Sequence, residues 1–113
     1  MRLRSDIFVS ALIRSAEANG AFALLRRRGA AEAGAIFVKI DRLDGLTAVL
    51  APVAQTSESQ QGVDRQFSRA HSKEWIGAAE AEERLRREIA IDPDIWIVEI
   101  EDRNGRTFVD LAG

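Results

Sequence analysis

Two short runs near the C-terminus alternate apolar and charged residues, and they flank Asn104-Gly105. This dipeptide tolerates the positive φ angles needed at both central positions of a type I′ turn, so the pattern predicts a β-hairpin. The turn would place Ile100 opposite Val109 and Glu99 opposite Asp110. Apolar side chains would then share one covered face of the hairpin, and charged side chains would share the other.

A helix is predicted over residues 5–19. Phe8, Leu12 and Ala16 recur at every fourth position, which is the spacing of one helix face. Ser5 precedes them and is a residue type that commonly caps helix N-termini. The first turns are apolar over more than one face, so this helix should be buried largely in the core or partly against another molecule.

A second helix is predicted over residues 78–91. Ala81, Leu85 and Ile89 form one apolar stripe. Asp92-Pro93 ends the helix, because the residue before a proline avoids the helical region. Glu-to-Arg pairs at i, i+4 support the same segment, and they are Glu80–Arg84, Glu82–Arg86 and Glu83–Arg87.

Strand patterns fill the region between the two helices. The predicted strands cover residues 22–28, 35–43, 46–53 and 63–70. Asp44-Gly45 is a second type I′ signal, and it would pair Ile40 with Val49. Residues 55–62 are polar and have no periodicity, so they are predicted to form a loop.

The order of these elements predicts an α+β domain. Hairpin connections favour an antiparallel sheet of about five to six strands, with both helices packed on one of its faces. The chain has 113 residues, and this length is typical of a single domain. Residues 1–113 are therefore expected to share one core.

Composition excludes several classes of protein. A net charge of −2 and a pI near 5.4 argue against a general nucleic-acid binder. The charge is unevenly distributed, however: residues 1–42 carry eight Arg or Lys and four Asp or Glu, whereas residues 43–113 carry eight and fourteen. A basic front and an acidic back can pair within one molecule or between two copies, or they can simply be dispersed over the surface.

The chain has no cysteine, which excludes disulfides, thiolate metal sites and cysteine nucleophiles. No apolar run approaches the roughly 18 residues that span a bilayer. The apolar stretch at 7–13 is at the short limit of a signal-peptide core, and it is better explained by the amphipathic helix. We therefore expect a cytoplasmic protein with no membrane association.

Four stretches of the chain resemble a known family. They are Ser5-Asp6-Ile7, Arg27-Arg28-Gly29, residues 32–39 and residues 92–103, with Asp-Pro-Asp-Ile-Trp as the most specific part. The chain resembles short alphaproteobacterial proteins grouped as domain of unknown function 1491. The resemblance spans nearly the whole chain and implies a bacterial cytosolic setting. It implies no activity, cofactor or catalytic residue.

An acidic face is one candidate for chemistry. Glu99 and Glu101 are two residues apart on one predicted strand, and Asp110 would lie opposite Glu99. Three such carboxylates can hold a divalent cation, and Arg103 and Arg106 nearby could bind phosphate, as in a metal- or phosphate-dependent enzyme. The alternative is that the hairpin simply needs a polar outer face. We expect no resident metal or cofactor.

A basic cluster is the second candidate. Arg26 and Arg28 point to one side of a predicted strand, and Lys39 and Arg42 on the next strand could join them to bind phosphate or, weakly, nucleic acid. Aromatic residues do not alternate with them, so single-stranded nucleic acid is an unlikely partner. The alternative is a solubilised strand end. His71 is the only histidine, and no nucleophile motif accompanies it.

Apolar side chains are the third candidate. The first helix and the two tryptophans present more apolar surface than one sheet and two helices need to hide. Residues expected in the core or at a contact are Ile7, Phe8, Leu12, Trp75 and Trp96. The leading hypothesis is therefore a small non-enzymatic binding domain that self-associates or binds another protein.

Overall fold

The computed structural model of the chain describes residues 3–54 and 65–112. In these ranges two helices and seven strands are formed, and this agrees with the predicted α+β class. The elements are α1 (Ser5–Ala18), β1 (Phe22–Arg27), β2 (Ile36–Asp41), β3 (Leu46–Pro52), β4 (Gln66–Arg69), β5 (Ile76–Gly77), α2 (Ala78–Ile91), β6 (Trp96–Glu101) and β7 (Asp110–Leu111). The predicted loop at 55–62 lies outside the described residues.

The strands form one open sheet in the order β1-β6-β2-β3-β4-β7, with β5 added to β3. β6 runs antiparallel to β1 but parallel to β2, and β4 runs parallel to β7. The sheet is therefore mixed, and the prediction of a purely antiparallel sheet was wrong. The β2–β6 pair is parallel because β6 lies between β1 and β2, which run in opposite directions, so β6 must be parallel to one of them.

The predicted C-terminal hairpin does not form. A turn is present, since the Gly105 N–H donates to the Asp102 carbonyl at 2.9 Å and Gly105 has a φ of 68°. The chain cannot fold back onto β6, however, because β1 and β2 already occupy both edges of that strand. It continues to the far edge of the sheet, where Asp110 pairs with Gln66. The expected pairing of Glu99 with Asp110 was therefore wrong.

The two helices cover opposite faces of the sheet, although both were expected on one face. Val9 and Leu12 of α1 pack in a cluster with Val38 and Ile100. On the other face, α2 contributes its apolar stripe to a second cluster built on Phe37, Val49 and Ile97. The central strands β2 and β6 are buried along almost their whole length, because helices cover both faces of the sheet at this point.

The loop between β2 and β3 is longer than the predicted two-residue turn. Ile40 pairs with Ala48 instead of Val49, so the observed register differs by one residue. The Arg42 N–H donates to the Leu46 carbonyl at 3.0 Å. Leu43 has a φ of 65° and Gly45 a φ of 90°. The left-handed conformation of Leu43 therefore adds a third residue to the loop.

The helix predictions are confirmed apart from their end details. α2 has both predicted bounds, and α1 ends at Ala18. Ser5 is not the N-cap but the first helical residue of α1; it is buried and its hydroxyl donates to the Gly34 carbonyl at 2.6 Å. None of the described helices is long and apolar enough to cross a membrane.

Candidate functional site

The sheet face under α2 carries four ionised side chains from four separate elements, which we call the charged cluster. They are Arg26 of β1, Lys39 of β2, Glu82 of α2 and Glu99 of β6. Glu82 receives hydrogen bonds from Arg26 Nη1 at 2.7 Å and from Lys39 Nζ at 2.6 Å. Glu99 lies 3.0 Å from Arg26 and 3.7 Å from Lys39. The cluster therefore joins α2 to three strands.

Burial makes these contacts important for the fold. The Lys39 side chain is 7% exposed and that of Glu99 is 12% exposed. A buried charge without a partner is strongly unfavourable, so each of these groups depends on its neighbours. Hydrogen bonds from Arg26 and then Lys39 lower the pKa of Glu82 from its ordinary value of 4.5 to about 2. The same contact with Glu82 raises the pKa of Arg26.

Two more carboxylates continue this face toward the carboxyl ends of the parallel strands β2 and β6. Asp41 and Glu101 are in register with each other, two residues after Lys39 and Glu99 and on the same face. One oxygen each from Asp41, Glu99 and Glu101 lies within 4.8 Å of the others. Such oxygens suit a hard cation. Glu99, however, already faces two basic side chains, so the trio by itself does not define a metal site.

The remaining members of the predicted enzyme site lie elsewhere. Asp110 is on β7 at the opposite edge of the sheet, and Arg103 is exposed. Arg106 forms an ion pair with Asp102 at 2.8 Å and donates to the Asn19 carbonyl at 2.9 Å. The structure therefore joins Glu99 and Glu101 to Asp41 and not to Asp110.

The predicted basic cluster is divided between the two faces of the sheet. Arg26 and Lys39 belong to the charged cluster, whereas Arg28 lies over the Trp96 ring on the α1 side, with 5.3 Å to its centroid. Arg42 pairs with Asp44 at 2.9 Å and lies over the Trp75 ring. These four residues do not form a continuous basic stripe.

His71 uses both ring nitrogens within the fold. Its Nε2 accepts the Val49 N–H at 3.0 Å, and its Nδ1 lies 2.6 Å from the Lys73 carbonyl oxygen. The tautomer with the proton on Nδ1 satisfies both contacts. In this arrangement His71 connects a loop to β3, and neither nitrogen is available to a ligand.

The apolar candidates divide between core and surface. Leu12 and Trp96 are buried, Phe8 and Trp75 are partly buried against the core, and Ile7 is 49% exposed. Phe8 and Trp75 thus still contact the core. Ile7 is the one that offers a large apolar surface to solvent.

Part of the sheet face on the α2 side is left uncovered, and we call it the open face. It lies on β1 and on the ends of β6 and β2 beyond the charged cluster. Phe22 is 55% exposed there and pairs with Glu101, whose neighbour in register is Asp41. The sequence prediction missed Phe22 and Asp41. The alternation of Phe37, Lys39 and Asp41 along β2 was the available signal, since it places the three on one face.

A second surface lies on the other side of the sheet, between α1 and β1, and we call it the α1–β1 groove. Its cavity volume is about 460 Å³. The lining residues come from α1, from β1 and the residue that follows it, and from the start of β6. They are Asp6, Ile7, Val9, Ser10, Ile13, Arg14, Leu25, Arg28 and Trp96. Several of the stretches that carry the family resemblance meet at this groove.

Comparison with known proteins decides the family. A model of the family described as protein of unknown function DUF1491 matches residues 3–110. The chain belongs to the DUF1491 family. A crystal structure of a DUF1491 protein from Caulobacter crescentus CB15 is 37% identical, has a TM-score of 0.82, and covers 97% of this chain and 99% of that one.

A second DUF1491-like fold is known from A. tumefaciens. That solution structure is 37% identical, has a TM-score of 0.83, and covers 99% of this chain and 96% of that one. No curated protein matches the chain. The DUF1491 relatives thus support the fold and leave the function to be argued from the molecule itself.

Proposed function

We propose that this DUF1491 chain is a non-enzymatic interaction domain that pairs with a second copy of itself through strand β1. The observation that carries the proposal is the position of β1. Within residues 3–54 and 65–112 it pairs with β6 alone, so its other edge is free. Phe22 at the start of this edge strand is 55% exposed.

A free edge strand presents unpaired N–H and C=O groups that can extend the sheet into another chain. Two copies related by a two-fold axis would pair their β1 strands antiparallel, so that the start of one strand meets the end of the other. The register shift between Leu25 and Arg27 interrupts the edge. Regular pairing is therefore expected over residues 22–25.

Charge complementarity favours a second copy as the partner. The start of β1 lies beside the carboxylates of Glu101 and Asp41. Its end carries Arg27, which is in register with Ile97 on the same sheet face. Arg27 Nη2 donates to the Pro93 carbonyl at 2.6 Å, and no ion pair joins Arg27 to a described carboxylate. Antiparallel pairing would bring Arg27 of each copy toward Glu101 of the other, so each contact would occur twice.

Apolar contacts would supply most of the binding free energy. Phe22 would be covered together with the half-buried Leu24, which shares its face in the register with β6. An exposed aromatic side chain on an edge strand is a typical anchor of such an interface. The charged cluster has internal partners, and this favours a structural role for it within the domain over a catalytic one.

Sedimentation velocity tests the proposal directly. The wild-type chain is expected to sediment as a dimer, and Phe22→Ser as a monomer with an unchanged circular dichroism spectrum. Ile91→Ser is the matched control, because Ile91 is 78% exposed but lies at the end of α2. A monomeric wild type, or an equal loss of dimer in both variants, would contradict the proposal.

A charge exchange tests the orientation of the two copies. Glu101→Arg and Arg27→Glu should each weaken the dimer, because each change places like charges across the interface. The double variant restores opposite charges and should recover most of the wild-type dimer. If the loss of dimer affinity in the double variant equals the sum of the two single losses, the strands do not pair in the antiparallel arrangement.

A further inference from the structure

The α1–β1 groove has the size of a small-molecule site. Its volume of about 460 Å³ falls in the range of ligand pockets in general, which is roughly 300–1,000 Å³. Ile13, Leu25 and Trp96 give it apolar walls, and Ser10 adds a hydroxyl. It lies on the α1 side of the sheet and is therefore separate from the open face and the charged cluster.

Two arginines bring positive charge to this groove. Arg14 and Arg28 both line it, and neither forms an ion pair with a residue that the structure describes. Among the described residues that line the groove, Asp6 is the only acidic one, and it is held by Arg4, with 3.2 Å between Arg4 Nε and Asp6 Oδ1. The groove thus combines apolar walls with two guanidinium groups that have no carboxylate partner there.

Arg28 is held in position by its surroundings. Its guanidinium lies 5.3 Å from the centroid of the Trp96 ring, and the Trp96 Nε1–H donates to the Ala30 carbonyl at 2.7 Å. The backbone at Gly29 packs so closely that a Cβ there would be 2.7 Å from the Trp96 ring. A guanidinium stacked on an aromatic face keeps its N–H edge free for a bidentate contact with an oxyanion.

Residues from three distant stretches of the chain converge on this site. Asp6 and Ile7 lie on its α1 side, Arg28 follows the end of β1, and Trp96 at the start of β6 closes it. Ser5 also fixes the start of α1 against the intervening loop through the Gly34 carbonyl. Residues from distant parts of the chain thus build one groove around two arginines.

We propose that the α1–β1 groove binds a small organic anion, in which a carboxylate or phosphate group is attached to an apolar or aromatic body. Arg28 and Arg14 bind the oxyanion, and Ile13 and Leu25 contact the apolar body. Charge alone does not define this ligand, because the apolar walls make no favourable contact with a bare ion. The apolar body alone does not define it either, because the two guanidinium groups would then stay without an anion.

Phenyl phosphate is a suitable probe, and ¹H–¹⁵N correlation spectra provide the readout. Titration should shift the Trp96 indole resonance and the Arg28 Nε–H resonance, while the Trp75 indole stays in place. Arg28→Gln and Arg14→Gln should each weaken the binding by about tenfold, which is the loss of roughly one charged hydrogen bond. Arg103→Gln, on an exposed residue outside the groove, should bind like the wild type.

Related small molecules show whether the oxyanion, the aromatic body or both are needed for binding. Benzoate should bind at the same resonances if the oxyanion can be a carboxylate, and its failure would restrict the ligand to phosphates. Inorganic phosphate and benzyl alcohol should each bind more weakly than phenyl phosphate. Equal binding of inorganic phosphate, or full binding by both arginine variants, would overturn the proposal. Arg14 lies on the exposed side of α1, so its variant keeps the test valid should Arg28→Gln fail to fold.

Discussion

Lys39 and Glu99 lie side by side on the parallel strands β2 and β6, with 3.7 Å between Nζ and Oε1. Both side chains are almost fully buried, and each also has a second partner, because Lys39 contacts Glu82 and Glu99 contacts Arg26. The pair is therefore the inner part of a network that crosses the sheet from β1 to β2 and reaches up to α2.

The first prediction concerns this pair. Lys39→Met and Glu99→Gln should each lower the free energy of unfolding by about 1–3 kcal/mol, because each leaves the other buried side chain without the opposite charge 3.7 Å away. The loss of stability in the double variant should be smaller than the sum of the two single losses. Each single variant leaves one buried charge unpaired, whereas the double variant removes both charges. Urea denaturation of the four proteins measures the coupling.

A surface pair provides the control for that cycle. Glu83 and Arg86 form an ion pair on α2 with side chains 52% and 70% exposed. Removing them singly and together should give a coupling of only about 0.2–0.5 kcal/mol, typical of an i, i+3 pair. If the buried pair shows no more coupling than the surface pair, the network does not hold the sheet as described.

The second prediction concerns acid stability. Because the pKa of Glu82 falls to about 2 in the folded protein from an ordinary 4.5, its carboxylate stabilises the fold above about pH 4.5. This contribution should be lost as the pH falls through that window toward 2, when the carboxylate becomes protonated. The denaturation midpoint of Glu82→Gln should therefore change less with acid than that of the wild type.

Glu83→Gln is the matched control for acid stability. Glu83 is on the same helix, but it is 52% exposed, and within the described part of the chain its ion-pair partner is Arg86 on the surface. Its midpoint should follow the wild-type pH dependence. Identical pH profiles for the wild type and Glu82→Gln would show that Arg26 and Lys39 do not hold this carboxylate in its ionised form.

The third prediction concerns the close approach at Gly29. A Cβ at this position would lie 2.2 Å from the Asp94 carbonyl oxygen and 2.6 Å from the Ile95 carbonyl carbon, which are backbone atoms that cannot turn away. Gly29→Ser should therefore destabilise the fold by about 1–3 kcal/mol or more. Thermal unfolding measures this loss. The tryptophan fluorescence of the folded variant should also differ from that of the wild type, since Trp96 borders the same contact.

The same substitution at Gly77 tests whether the effect is specific. A Cβ at Gly77 meets nothing within 4 Å, and Gly77 is the N-cap of α2 with extended backbone. A serine there can accept a hydrogen bond from the first turn, so Gly77→Ser should be neutral or slightly stabilising. An equal loss in both variants would contradict the packing argument for Gly29.

The fourth prediction concerns the β2–β3 loop. Leu43 has a φ of 65°, a conformation that costs a residue with a Cβ about 1–2 kcal/mol, and its side chain is 46% exposed. Leu43→Gly should raise the free energy of unfolding by up to about 1 kcal/mol, because glycine adopts this conformation without strain. Leu46→Gly, in the strand that follows, should lower it, and equilibrium denaturation compares the two. A loss of stability in Leu43→Gly would show that its side chain contributes more than its backbone strain costs.

Local patterns in the sequence determined the elements of this protein. The bounds of α2 follow from its apolar stripe and from Asp92-Pro93, and both signals act within a few residues of the helix. The strands β2, β3 and β6 were likewise visible as apolar or alternating runs. Glu99 and Glu101 could be placed on one face of β6, because the side chains of a strand alternate regardless of which strand lies next to it.

Only the tertiary structure decided which elements meet. The Asn104-Gly105 turn exists, but a turn signal does not exclude a competing neighbour, and β1 and β2 occupy both edges of β6. The same arrangement brings Lys39 and Asp41 beside Glu99 and Glu101, and it moves Asp110 to the far edge. These contacts join residues about 60 positions apart in the chain, and they depend on burying two apolar faces at once, which no local pattern encodes.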